Sequence, residues 1–129
     1  MFQREHVTAF NTAAQNGIPR VVHAGFFGTA DSVVGALLLL KADRISHGYH
    51  IIDDEEVYKM MIQLKVPFET TPSSANLIAT GETNPVVRYA RDGVTFSIST
   101  DNPSQLVNEY RLLAEWGITA KKMQQSVRN

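Results

Sequence analysis

Four short apolar runs end in polar residues near His23, His47, Thr70 and Thr100, and each interval between them carries a helical pattern. Spacings of about 23 to 30 residues suit right-handed crossovers between parallel strands, which need a dozen or more residues to return to the same edge. The runs are read as strands over Arg20–His23, Arg44–Ser46, Val66–Thr70 and Val94–Ser99. Helices are expected over Gln3–Asn16 with Gly17 as its stop, over Asp31–Lys41 capped by Asp31, and over Asp53–Lys65. The last has Asp53 as its cap, Glu56 in the capping-box position and one stripe of Val57, Met60, Met61 and Leu64. A loop at Thr71–Ser74 follows, then a short helix over Pro85–Asp92 stopped by Gly93, and two closing helices over Ser104–Trp116 and Ala120–Arg128. The pattern defines an α/β chain of about four βα units. It leaves open whether the sheet is doubly wound or part of a closed barrel.

Composition narrows the functional classes. An apolar fraction of 43%, a charged fraction of 19% and a net charge of −1 belong to a globular domain, and 129 residues suffice for one. No basic run exceeds Lys121-Lys122, so the electrostatic footprint for nucleic acid is missing. The chain has no cysteine, which removes disulfides, thiolate metal sites and the cysteine-built deaminase motif. The polar N-terminus does not read as a signal peptide, and the apolar run Ala36–Leu40 is too short for a membrane. A cytoplasmic protein is the expectation.

Chemistry-bearing residues gather where the strands end. The clusters are His23-Ala24-Gly25, His47-Gly48-Tyr49-His50, Phe68-Glu69-Thr70-Thr71-Pro72-Ser73-Ser74 and Ser97-Ile98-Ser99-Thr100-Asp101-Asn102-Pro103. Taken singly, a histidine ending a strand is more often a structural residue, and Asp101 or Asn102 could simply cap the next helix. Two histidines and an aspartate on one rim are harder to explain that way, because the carboxyl ends of parallel strands are where such folds place metal ligands.

In this order the motifs resemble the adenosine deaminase family, and the resemblance extends through Gly81 and the segment Asn84–Arg88. It implies the second half of an eight-stranded (β/α) barrel and a zinc-dependent hydrolytic deamination of adenosine to inosine, a step of purine metabolism. It also implies that His23 and Asp101 correspond to zinc ligands, that His47 corresponds to the histidine beside the metal-bound water, and that Gly25 lies near the purine edge. Asn102 stands where the family has the aspartate that binds the purine N7; its amide can still donate to that nitrogen.

The departures carry equal weight. Phe26 occupies the position of the family's glutamate, the proton donor to the purine N1, and a phenylalanine ring transfers no proton. Losing a general acid costs on the order of 10²–10⁴ in rate. Phe26 and Phe27 together are expected to fill part of the purine pocket. The family's His-x-His pair of zinc ligands does not occur, His6 reads as a surface residue, and His50 corresponds to no ligand. Two ligands are too few for tight zinc binding. Both ends are read as cut inside helices.

The expectation is therefore a single partial domain over residues 1–129, a truncated and inactive deaminase relative. The competing readings are a non-enzymatic nucleoside-binding or interaction module, and one part of a deaminase completed by another segment. Any ligand is expected to be adenosine or a related purine nucleoside. Val21, Ile45, Phe68, Phe96 and Ile98 are expected to line an uncovered inner face, and open sheet edges are expected to drive self-association.

Overall fold

A computed structural model describes residues 2–100 and 106–118. Its centre is one four-stranded parallel sheet in sequential order, with β1 Val21–Ala24, β2 Arg44–His47, β3 Phe68–Thr70 and β4 Phe96–Ile98. The strands alternate with helices α1 Arg4–Gln15, α2 Ala30–Leu38, α3 Glu55–Gln63, α4 Pro72–Ala75, α5 Pro85–Asp92 and α6 Leu106–Glu115. Every sheet contact is parallel and runs between consecutive strands, as repeated βα units require. The helix expected over Ala120–Arg128 lies outside the described residues.

Register explains where the core sits. Val22 pairs with Ile45, Ile45 with Phe68, and Phe68 with Phe96, which makes one transverse row. All four are buried and belong to the same cluster as Val33 and Ala36 of α2, Tyr58 and Met61 of α3, and Val86 and Tyr89 of α5. This is the helix-facing side. Because side chains alternate along a strand, the intervening row points the opposite way. It consists of His23, Ser46, Glu69 and Ser97, again in register.

The expected inner face is corrected by this register. Ile45, Phe68, Phe96 and Ile98 are buried on the helix side, and only Val21, half exposed, lies on the open face. That face is polar, and Arg44 Nε approaches Glu69 Oε1 at 3.8 Å across β2 and β3. A one-residue error in phase moves a whole strand to the other face, which is why an apolar pattern in strands this short misassigns it.

Helix ends also shift from their expected places for identifiable reasons. Thr29, not Asp31, is the residue before α2; Asp31 sits inside its first turn, and no side chain caps it. Asp54, not Asp53, caps α3, accepting from the amides of Glu56 at 3.0 Å and Val57 at 3.2 Å. Asp53 ends a short 3₁₀ turn over Tyr49–Asp53 and pairs with His50. Neither α2 nor α3 reaches its expected lysine, because Lys41 (φ 52°) and Lys65 (φ 54°) take the left-handed conformation that ends helices. Leu64 consequently falls off the apolar stripe and is 63% exposed. Thr71–Ser74, read as a loop, contains the start of α4, with Pro72 in its first turn, where a missing N–H costs nothing.

Two polar clamps hold the layers in place. Arg88 of α5 lies 4.2 Å over the Tyr58 ring of α3, donates to Glu55 at 2.6 Å and approaches Asp92 at 3.3 Å. Burial, and then the bond it donates to Asp92, push the Tyr58 phenol pKa up. Glu109 of α6 is fully buried, and its two carboxylate oxygens accept from the Ser73 amide at 2.8 Å and the Ser73 hydroxyl at 2.5 Å. Charge-assisted bonds of this kind offset the cost of burying the carboxylate. Glu109 thereby ties α6 to the start of α4.

Phe68 is the middle of the buried row and has no exposed surface. Phe68→Ala is expected to lower unfolding free energy by about 3–5 kcal/mol, the usual cost of emptying a phenylalanine site. Urea denaturation of the two proteins measures it; a loss below about 1 kcal/mol would mean the row is not the core.

Candidate active site

The first two strands end in loops that touch each other. Gly25 (φ 76°) and Gly48 (φ 70°) both take the left-handed conformation. The Gly48 amide donates to the Ala24 carbonyl at 2.8 Å, and the His50 amide to the Gly25 carbonyl at 2.9 Å. A Cβ placed on Gly25 would lie 2.6 Å from Val33 Cγ2 and 2.8 Å from Gly48 Cα; one on Gly48 would lie 2.4 Å from the Phe68 ring. Only glycine fits either place. The Gly48 carbonyl is bound from below by the buried Tyr89 hydroxyl at 2.9 Å, and burial raises the Tyr89 pKa well above its ordinary value.

This contact sets the expected residues against one another. His23, exposed on the open face, and His47, 3% exposed, have ring centroids 4.3 Å apart. His47 itself has φ 71°, a strained conformation for a residue with a side chain, and such strain recurs at functional sites. Gly25, expected at the purine edge, is shown here to have a purely local requirement as well.

Phe26 occupies the same cluster. It is 8% exposed, with its ring 5.1 Å from that of His47, 5.8 Å from Tyr49 and 6.4 Å from His23. Phe27 packs one edge against Phe26 at 4.4 Å but is 91% exposed. Of the expected pair, only Phe26 enters the site.

Beneath the imidazoles lies a hydrogen-bonded group that the motif reading did not single out. Tyr49 is fully buried; its hydroxyl oxygen receives the Thr71 amide at 2.8 Å and lies 3.2 Å from His47 Nδ1. The same oxygen lies 3.1 Å from the Thr71 carbonyl oxygen and 3.4 Å from Ser74 Oγ. Thr71 and Tyr49 were visible in the sequence only as members of the motifs. That they touch depends on β2 and β3 being neighbours.

Other expected positions are placed as follows. Asp101 and Asn102 lie outside the described residues. His6 is exposed on α1, and His50 pairs through Nδ1 with Asp53 at 2.7 Å. Among the described residues no three histidine, cysteine, aspartate or glutamate side chains converge on one point. A catalytic zinc takes three protein ligands and a water. Of the expected ligands the described residues supply His23 alone, so they do not make up that donor set.

A four-stranded parallel βα sheet in sequential order has the architecture of part of a β/α barrel. Within that class the chain is a member of the adenosine deaminase family, whose sequence profile matches residues 1–129. It is 36% identical over 124 residues to adenosine deaminase of Gallus gallus, covering 90% of this chain and 35% of that one. Against the Mus musculus protein it is 37% identical over 121 residues, covering 92% and 34%. An amidohydrolase from Burkholderia ambifaria, solved with bound Zn, superposes with a TM-score of 0.81 at 25% identity, over 93% of this chain and 36% of that one. Adenine deaminase from Arthrobacter aurescens superposes at 0.80 over 93% and 39%. The chain thus spans about a third of the length of these relatives, and its sheet is part of such a barrel. No helix among the described residues is long and apolar enough to cross a membrane.

Gly25→Ala is expected to destabilise the chain by more than about 2 kcal/mol, since a left-handed φ alone costs about 1–2 kcal/mol and the backbone of Gly48 cannot give way. Gly17→Ala shares the positive φ but meets nothing within 4 Å, so it isolates the conformational cost. Equal losses in thermal melts of the two variants would show that the close approach contributes nothing.

Proposed function

We propose that the chain carries part of an adenosine deaminase site from which the proton donor has been lost, and that by itself it does not turn over adenosine. The observation that carries this reading is Phe26. Where the family resemblance implies a carboxylic acid beside the purine N1, a buried benzene ring packs against His47 and Tyr49. Deamination needs that ring nitrogen protonated to make C6 electrophilic, and no atom of Phe26 exchanges a proton. Zinc held by His23 and Asp101 would activate water in the family manner, but with no His-x-His pair in the chain these two alone are too few for tight binding. Asn102 retains an amide able to donate to the purine N7. On the same reading the 129 residues form one partial domain of a cytoplasmic protein of purine metabolism.

Incubation of the chain with adenosine and zinc, followed by the absorbance change on inosine formation, is expected to show no turnover. The same assay on Phe26→Glu separates two defects. Silence in both assigns the loss to the missing ligands, and activity only with glutamate assigns it to Phe26. Turnover by the unmodified chain would overturn the proposal.

A second reading, completion by another segment, draws support from the open face. β1 and β4 each have one strand neighbour among the described residues, and the row His23, Ser46, Glu69 and Ser97 lies on the face opposite the buried row, with His23 exposed and the other three half-buried. Unpaired strand edges template further pairing, so the isolated chain is expected to self-associate. Light scattering across a concentration series reads this as a mass that rises with concentration; a constant monomer mass would count against it.

A further inference from the structure

The two edges of the sheet differ, and each can pair with the other. The Arg20 and Ala24 carbonyls accept from the amides of Arg44 at 3.2 Å and Gly48 at 2.8 Å, so alternate peptide groups of β1 turn towards β2. Those of Val21 and His23 point the other way, out of the sheet edge. On the far side the Thr95 carbonyl accepts from the Phe68 amide at 2.9 Å, and the Ser99 amide donates to the Thr70 carbonyl at 2.7 Å. The peptide groups of Phe96 and Ile98 therefore point outward from β4. The outermost helices are thinly packed as well. α2 buries Ala30, Val33 and Ala36, whereas α1 buries none of its residues and leaves Val7 and Phe10 half-buried. On α6, Tyr110 is half-buried and Val107 is 71% exposed.

We propose that a second copy of this chain covers both edges: β4 of each copy pairs in parallel with β1 of the other, closing one eight-stranded barrel about a twofold axis. The inference rests on the reading that another segment completes the sheet, and it names that segment. The sheet superposes on β/α-barrel structures and so has their curvature. Such barrels close at eight strands, so four strands turn through half of the circle. A head-to-tail contact that turns half a circle closes after two copies and does not grow into a filament. In the outer ring α1 of one copy then follows α6 of the other, and the half-buried side chains of both gain a neighbour. The facing rows bring no charge conflict. Arg44 and Glu69 lie 3.8 Å apart on each copy and offset one another, so the open face meets its duplicate without net repulsion.

The full chain has no cysteine, so single introduced thiols report which edges meet. Thr8→Cys changes an exposed position of α1 and Arg111→Cys an exposed position of α6. Packed neighbouring helices lie about 8–10 Å apart, within reach of a short bis-maleimide. A mixture of the two variants is expected to give a cross-linked product containing one of each. Either variant alone is expected to stay uncross-linked, because in the closed dimer like helices stand on opposite sides. Sedimentation of the unmodified chain is expected to show a mass that rises with concentration and levels off at two copies. A constant monomer mass overturns the proposal together with the reading it rests on. A mass that grows beyond two copies, cross-linking of either variant alone, or a dimer without the mixed product overturns the proposal and leaves completion by a different segment standing.

Discussion

The approach of Gly25 to Gly48 is the contact on which the rest of the site depends. Two left-handed glycines let the loops after β1 and β2 meet at a separation that no side chain permits, with the Cα of Gly48 lying 2.8 Å from where a Gly25 Cβ would stand. Two backbone hydrogen bonds and the Tyr89 hydroxyl hold the junction. Because His23 and His47 flank these glycines, the same contact brings their rings to 4.3 Å and seats Phe26 beside them. The imidazoles meet because the backbones beneath them are pinned, not because the rings attract one another.

Phe26 is the apolar member of this arrangement. Its side chain is accommodated without disturbing the scaffold: it is nearly buried, lies edge-on to His47 and near Tyr49, and belongs to the main apolar cluster. On the proposed reading, in which Phe26 stands in place of a proton donor, the apolar packing that seats its ring leaves no group there to transfer a proton.

The open face of the sheet obeys a different logic from its helix-facing side. Val22, Ile45, Phe68 and Phe96 form a dry row under the helices, whereas His23, Ser46, Glu69 and Ser97 form a polar row opposite. Arg44 and Glu69, each about one-third exposed at the side chain, approach across it. In the relatives this chain spans about a third of the length, and a polar row with an ion pair is better suited to hydrogen-bonded company than to an apolar cap.

The alternation of four strand patterns with helical ones, at spacings that suit parallel crossovers, was legible in the residues, and so was the family. These are local or motif-level properties, encoded in which residue follows which. Which face each strand buries was not legible, because a three- or four-residue strand such as Phe96–Ile98 has too few alternations to set its phase until its neighbours' register does. The shift of the α3 cap from Asp53 to Asp54 came from the intervening 3₁₀ turn, which leaves no apolar period to read. The bond between Tyr49 and Thr71, and the clamp of Glu109 on Ser73, join positions 22 and 36 residues apart. Composition and spacing say nothing of such pairs; they exist only once the sheet has placed successive strand ends side by side.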